Sequence, residues 1–159
     1  MFLAVFLLLQ LAWSLLRASP FGLWLVEGAT VPTCVWLINL FTPQIAASAQ
    51  GTHILANGGG INVVNGCEGI EVMLMLIAAM CNASIAWRFR FAGVFVGVVY
   101  IFVVNQIRLV GMFYAVREDK QLFETVHGLV GPILLVALTG LFFAYWLSAF
   151  SKTAKQANN

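Results

Sequence analysis

The sequence has 159 residues, of which 62% are hydrophobic and only 9% are charged, and its mean hydropathy is +0.95. Since soluble domains carry about a quarter of charged residues, this composition excludes an ordinary soluble domain. It predicts one all-α polytopic membrane domain over residues 1–159, built as a compact bundle of transmembrane helices in a lipid bilayer. The net charge is only +2 and no basic run occurs, so we expect no nucleic-acid partner.

The first forty-seven residues predict two membrane-associated segments. Residues 1–16 are apolar and uncharged and are predicted to form a first span. A cleaved signal peptide is a weaker alternative, because no basic residue precedes the apolar stretch and no small-residue cleavage site directly follows it. Residues 20–47 are interrupted by Glu27, Pro32 and Asn39, which fits either a second span or a helix lying in the membrane interface. The interruptions favour the interfacial helix.

A polar, glycine-rich stretch follows. The Asn-Gly-Gly-Gly sequence at 57–60 separates two short alternating segments, 52–55 and 61–64. Glycine and asparagine between such segments are typical of a β-hairpin turn. Residues 50–66 are therefore predicted to form a short extracytoplasmic hairpin.

Three further spans are predicted at 67–87, 91–116 and 125–150, followed by a tail at 151–159. Cytoplasmic loops of membrane proteins are enriched in Lys and Arg. Arg88, Arg90, Lys152 and Lys155 therefore mark the cytoplasmic side, whereas the loop at 117–124 carries two basic and three acidic residues. This orientation places the hairpin and the start of the 67–87 span outside.

Ionisable groups in a membrane span are costly and usually have a function or a partner. Cys67 begins one predicted span, Arg108 lies inside the next, and His127 opens the last. Arg108 lies deeper than the other two, but its long side chain can snorkel outward to the same layer. A histidine can take the proton of a nearby thiol, and an arginine can stabilise the oxyanion of a tetrahedral intermediate. These three residues are the parts of a thiol acyl-transferase.

Structural explanations exist for each of these residues, so a non-enzymatic subunit of a transport or assembly complex stays open. In that alternative Arg108 pairs with Glu71, which lies four residues after Cys67 on the same helix face. A plain interfacial carboxylate is an equally good interpretation of Glu71. Cys34 and Cys81 have no predicted partner, and we interpret Cys81 as a packing residue. His53 in the hairpin is the alternative catalytic histidine, although loop histidines are usually solvated.

Three short motifs resemble the signatures of the exosortase/archaeosortase family. They are Gly-Cys-Glu-Gly-Ile-Glu at 66–71, Asn-Gln-Ile-Arg at 105–108 and Phe-Glu-Thr-Val-His at 123–127. The resemblance covers about residues 51–150, and the short length and glycine-rich hairpin are most similar to the compact exosortase H type. Glu68 departs from the small polar residue expected after the cysteine. The first forty residues carry no motif that matches.

The resemblance implies a membrane-embedded cysteine protease/transpeptidase of the prokaryotic cytoplasmic membrane, with its active site on the extracytoplasmic side. Its substrates would be membrane-anchored proteins ending in a short motif, a membrane helix and basic residues. Cys67 would be the nucleophile, His127 the proton carrier and Arg108 the oxyanion residue. Asn105, Glu71 and Glu68 would support the site or bind substrate, and we expect no cofactor and no metal.

Overall fold

A computed structural model describes residues 1–64 and 66–156, with side chains up to residue 150. Within these residues the chain forms a helix bundle with one small antiparallel sheet, which confirms the predicted fold class. The helices are α1 (Phe2–Leu16), α2 (Pro20–Phe41), α3 (Ile70–Cys81), α4 (Trp87–Glu118) and α5 (residues 120–156), and the strands are β1 (Ser48–Gln50), β2 (His53–Leu55) and β3 (Ile61–Asn62).

Three of the described helices are long and apolar enough to cross a membrane: α2, α4 and the part of α5 from Lys120 to Phe150. The helix α2 runs without a break for 22 residues, with a π-helical segment at Trp24–Thr30 just before Pro32. Pro20 follows the capping residue Ser19, whose side chain accepts a hydrogen bond from the Gly22 amide. Its length favours the second span over the interfacial helix that the interruptions suggested.

The predicted span at 67–87 is wrong in extent, because α3 has only 12 residues, about 18 Å of helix. Gly69 precedes it in the left-handed region, with φ +77°, so the helix cannot extend back to the cysteine. At the other end, the Asn82 side chain donates to the Ala78 carbonyl. Arg90 donates to the carbonyls of Cys81 and Ile85. The bonds to Ala78 and Cys81 satisfy carbonyls in the last turn of the helix.

The predicted hairpin is present as β2 and β3, which pair with Ile54 opposite Ile61. Both isoleucines are buried. The sequence did not indicate β1, which pairs antiparallel with the other edge of β2. The sheet is tied to α2 because Asn39 exchanges two hydrogen bonds with the Ala47 backbone, of 2.8 and 2.9 Å.

The last helix is longer than predicted at both ends. Only Asp119 interrupts the chain between α4 and α5, with an extended backbone and a side chain that accepts from the Gln121 amide. The predicted loop is therefore mostly helical. At the other end, α5 continues through Gln156 into the predicted tail. Residues 157–159 of that tail, and Asn65 of the predicted hairpin segment, lie outside the described residues.

The two ends of the bundle carry different groups. Phe89 at the start of α4 packs on Phe150 near the end of α5, with ring centroids 5.1 Å apart. Arg88 and Arg90 therefore lie at the same end of the bundle as the chain's basic tail. At the opposite end, Arg117 donates to the Asn57 carbonyl in the turn between β2 and β3, at 2.6 Å. The sheet thus covers one end of the bundle, and Arg88 and Arg90 at the start of α4 lie at the other end.

Candidate active site

Cys67 lies in a short loop between β3 and α3. Its amide donates to the Val64 carbonyl at 2.9 Å, and its side chain is only 3% exposed. Gly66 and Gly69 on either side have φ values of +86° and +77°, a region that residues with a side chain rarely adopt. The two glycines allow the chain to turn sharply on both sides of the cysteine, which holds the thiol in a fixed position.

Asn105 of α4 anchors this loop. Its side-chain amide is fully buried and donates to the Cys67 carbonyl at 2.9 Å. A Cβ on Gly69 would lie 2.8 Å from Asn105 Cγ, so glycine at this position is needed for the contact. The asparagine therefore fixes the backbone of the cysteine and leaves the thiol free to react.

Arg108 lies one helical turn further along α4. Its Nη1 donates to the Gly66 carbonyl at 3.5 Å and to Asn105 Oδ1 at 3.4 Å. Its Nε is buried without a hydrogen-bond partner in the described part of the chain. The guanidinium thus lies against the cysteine loop and keeps unused donors.

Gly131 of α5 makes room for this arginine. A Cβ at position 131 would lie 2.7 Å from Arg108 Nε and 2.7 Å from the Val126 carbonyl. This glycine was not predicted, because no local sequence pattern indicates a contact between two helices. The small residue allows α5 to approach the arginine closely.

His127 completes the group. Its Nδ1 lies 3.7 Å from Cys67 Sγ and 3.4 Å from Met112 Sδ. The ring stacks on Phe123 with centroids 5.4 Å apart and planes 7° from parallel. The histidine lies in a π-helical turn, Val126–Val130, and such turns are frequent at functional sites because they redirect side chains. Phe123 is four residues before His127, so helical spacing could have predicted that stacking.

The three residues converge differently from the prediction. The Arg108 side chain does not extend to the outer surface to reach the cysteine. Its hydrogen-bond partners, Gly66 of the Cys67 loop and Asn105, lie at its own level. Asn105 precedes Arg117 by twelve residues, about 18 Å of helix. Arg117 marks the level of the turn between β2 and β3. The cysteine therefore lies below the turn of the sheet, in one buried cluster with Ile54 and Ile61 of its strands.

The predicted pair of Glu71 and Arg108 is absent from the described residues, because the arginine's hydrogen bonds go to Gly66 and Asn105. Glu71 is exposed at the start of α3. Arg108 therefore does not neutralise Glu71 in the described part of the chain. Glu68 is buried, and its carboxylate accepts from the Gly66 amide at 2.7 Å, so the residue that departs from the family pattern closes the cysteine loop.

The alternative residues lie elsewhere. His53 is exposed in β2, opposite Gln50. Cys34 is buried within α2 and Cys81 is exposed at the end of α3, and all three cysteines are free. In the described part of the chain, no group of three His, Cys, Asp or Glu residues could hold a metal ion.

The model of the family described as transmembrane exosortase (exosortase EpsH) matches residues 1–144. The chain belongs to the transmembrane exosortase family. No curated protein and no solved structure matches it significantly. The exosortase match includes the first forty residues, for which the sequence analysis found no motif. Their place in the family is consistent with the structure, since α1 packs against α3. The H type stays a prediction.

The electrostatics of this exosortase's cysteine favour a resting thiol. Cys67 lies in a loop outside the membrane-spanning helices, and burial raises the pKa of its thiol above the ordinary value. The positive charge of Arg108 lowers this pKa, whereas the Glu68 carboxylate raises it. The thiol is therefore largely protonated near neutral pH. A nucleophilic role for this thiol would require a base to remove its proton, and the His127 Nδ1 atom lies 3.7 Å from the sulfur.

This balance predicts how alkylation of Cys67 depends on pH. In a variant with Cys34→Ala and Cys81→Ala, the alkylation rate should rise with pH around a midpoint above the ordinary thiol value of about 8.5. Glu68→Gln should lower the midpoint, because a negative charge is removed, and Arg108→Leu should raise it. Rates of iodoacetamide modification, followed by mass spectrometry, measure all three midpoints. Unchanged midpoints in both variants would contradict this electrostatic account.

Proposed function

We propose that this exosortase is a cysteine protease/transpeptidase that cleaves the C-terminal sorting signal of exported proteins through a thioester on Cys67. The observation that carries the proposal is the 3.7 Å distance between Cys67 Sγ and His127 Nδ1, with Arg108 of α4 hydrogen-bonded to the cysteine loop. The substrate class, a protein ending in a short motif, a membrane helix and basic residues, comes from the family.

Acylation follows from these positions. His127 Nδ1 takes the thiol proton as Sγ bonds to the scissile carbonyl carbon, and the carbonyl oxygen becomes an oxyanion. Arg108 has a guanidinium with donors beyond its bonds to Gly66 and Asn105, and these stabilise the oxyanion. The tetrahedral intermediate then collapses, and the bond between the carbonyl carbon and the amide nitrogen breaks. His127 gives its proton to the departing amine, which begins the substrate's own membrane helix.

Deacylation uses the same groups in the reverse order. Water or an amine attacks the thioester carbonyl and gives a proton to His127. The carbon–sulfur bond breaks, and the sulfur takes a proton back from the histidine. Asn105 keeps the cysteine backbone fixed in both halves through its bond to the Cys67 carbonyl. The cycle consumes one water or amine and releases two polypeptides.

Co-expression with a tail-bearing protein tests this proposal. A tagged reporter that ends in a short motif, a membrane helix and basic residues should be shortened by the enzyme. When the reaction is quenched in acid, a fraction of the reporter should be attached to Cys67 by a bond that hydroxylamine cleaves. A panel of such tails from the same genome with neither shortening nor adduct would contradict the proposal.

We propose that the sheet and the active site face the extracytoplasmic side of the prokaryotic cytoplasmic membrane. This orientation rests on Arg88 and Arg90, which lie at the bundle end opposite the sheet and obey the positive-inside rule. In a background without native cysteines, Asn57→Cys should react with a membrane-impermeant maleimide on intact cells, and Arg88→Cys only after lysis. Labelling of Arg88→Cys on intact cells would reverse the orientation.

A further inference from the structure

Glu68 is a buried carboxylate next to Cys67. It is 7% exposed, and its side chain lines a groove of about 460 Å³ whose other walls, apart from Thr30, are apolar. The carboxylate raises the pKa of the Cys67 thiol, so its charge opposes the ionisation that a nucleophilic attack would require. A buried charge costs free energy unless hydrogen bonds compensate it. The contribution of Glu68 to the site therefore lies in its hydrogen bond rather than in its charge.

The Glu68 hydrogen bond fixes the backbone of Gly66. The Oε2 atom of Glu68 accepts from the Gly66 amide at 2.7 Å, and a bond from an amide to a carboxylate is about twice as strong as one between neutral groups. Gly66 has φ +86°, and a glycine moves readily between backbone conformations when nothing holds it. The carboxylate therefore selects one orientation of the Gly66 backbone.

The position of Arg108 depends on that orientation. Its Nη1 donates to the Gly66 carbonyl at 3.5 Å and to Asn105 Oδ1 at 3.4 Å. Both distances exceed the common value of about 2.9–3.0 Å for such bonds, so neither bond alone holds the guanidinium firmly. A small rotation of the Gly66 carbonyl would break the first of them. How closely the guanidinium lies against the cysteine loop therefore depends on how firmly Gly66 is held.

The hydrogen bonds form a closed path around the cysteine. From Glu68 they pass to Gly66 and then to Arg108. From Arg108 they pass to Asn105, whose amide donates to the Cys67 carbonyl at 2.9 Å. Since Cys67 and Glu68 are adjacent in the chain, the path returns to its start. A change at Glu68 is therefore transmitted to the arginine through the backbone of the loop.

We propose that Glu68 is a positioning residue, whose hydrogen bond to Gly66 holds the Cys67 loop in the conformation that keeps the Arg108 guanidinium beside the thiol. This inference rests on the proposed function, in which Arg108 donates to the oxyanion formed at Cys67. In this role Glu68 acts through the Gly66 backbone and contacts neither the substrate nor the reacting atoms. The site uses its acceptor oxygen, and its negative charge is not needed.

Two neutral variants of similar size separate the bond from the charge. Glu68→Gln keeps an oxygen that can accept from the Gly66 amide, whereas Glu68→Leu has no acceptor but suits the apolar groove. Shortening of the tagged reporter should be nearly normal in Glu68→Gln and about 10-fold slower in Glu68→Leu, because small displacements of catalytic groups are costly in rate. The loss should appear in kcat with little change in KM. Equal rates in the two variants would overturn the inference.

Alkylation of Cys67 reports the position of Arg108 without any substrate. In the variant with Cys34→Ala and Cys81→Ala, Arg108→Leu should raise the pH midpoint of iodoacetamide alkylation by about 1 unit, because a nearby positive charge is removed. The rise should be as large when Glu68→Gln is also present, since the loop is kept. It should be less than half as large with Glu68→Leu, where the guanidinium has already moved away from the thiol.

Two outcomes of this alkylation experiment would overturn the inference. An equal rise with glutamate, glutamine and leucine at position 68 would mean that Arg108 keeps its position without the bond. A rise reduced equally by Glu68→Gln and Glu68→Leu would mean that the charge is the effective part. If Glu68→Leu does not fold, Glu68→Asp takes its place, because it keeps the charge but is too short by one methylene for the bond to Gly66. A full rise in Glu68→Asp would likewise overturn the inference.

The experiments distinguish this inference from the proposed function. If the wild-type enzyme shortens no reporter, the proposed function fails, and the alkylation midpoints still test whether Glu68 positions Arg108. If the wild-type enzyme shortens the reporter and forms the adduct, but the rise is the same in every background, only the role of Glu68 fails.

Discussion

Replacing Cys67 with alanine should abolish both shortening of the reporter and formation of the adduct. Among the three thiols, Cys67 is the one in contact with His127, whereas Cys34 lies within α2 and Cys81 at the far end of α3. No other nucleophile lies within reach of His127 Nδ1 among the described contacts. The loss should therefore be complete, and immunoblotting of full-length and shortened reporter measures it.

The protein should nevertheless stay folded in Cys67→Ala. The hydrogen bonds that hold the loop use the Cys67 amide and carbonyl, which alanine retains. Only the buried sulfur is lost, so the expected cost is that of a small cavity, on the order of 1 kcal/mol. Cys81→Ala is the matched control, because it removes an exposed thiol outside the site, and it should process the reporter normally. Shortening that survives in Cys67→Ala would remove Cys67 as the nucleophile.

The sequence could predict the meeting of Cys67, Arg108 and His127 because their positions follow from the hydrophobic spans. An ionisable group in an apolar span must face protein or a partner, and the order of the spans then sets which groups share a level. Asn105 was expected only through the family resemblance, although it also lies one turn from Arg108 on the same helix face. Residue type and spacing predict that the three groups lie near one level, whereas their roles came from the resemblance.

The depth of the cysteine could not be predicted in this way. The sequence analysis extended a helix through residue 67 because the apolar pattern continues there. Two glycines with positive φ prevent it, and glycine alone does not reveal its backbone conformation. The helix also ends early, because Arg90 caps it from the next helix. A side chain that caps another element is a tertiary contact, and a local pattern contains no information about it.

Side-chain contacts between helices could not be predicted from the sequence either. The proposed Glu71–Arg108 pair was based on charge and on a shared helix face, but the carboxylate is exposed and the arginine bonds backbone and amide oxygens instead. Gly131 and Met112 contribute to the site only through helix packing.

Arg108→Lys should reduce processing by about 10²–10³-fold, the usual cost of losing an oxyanion donor. The guanidinium has five N–H donors in a rigid plane, so it can bond to Gly66 and Asn105 and still present donors to the substrate. An ammonium is a compact, strongly hydrated charge with three donors. It cannot reproduce this geometry although it keeps the charge. Single-turnover rates of reporter shortening in detergent measure the deficit.

Two controls separate this role from simple charge compensation. Arg117→Lys makes the same chemical change at an arginine that bonds the Asn57 carbonyl outside the site, and it should process the reporter at a nearly normal rate. Combining Arg108→Leu with Glu71→Leu should restore nothing, because the two side chains do not pair in the structure, whereas a true ion pair would show coupling. If Arg108→Lys were nearly normal, or the double variant regained activity, Arg108 would act through its charge alone and the site would reduce to Cys67 and His127.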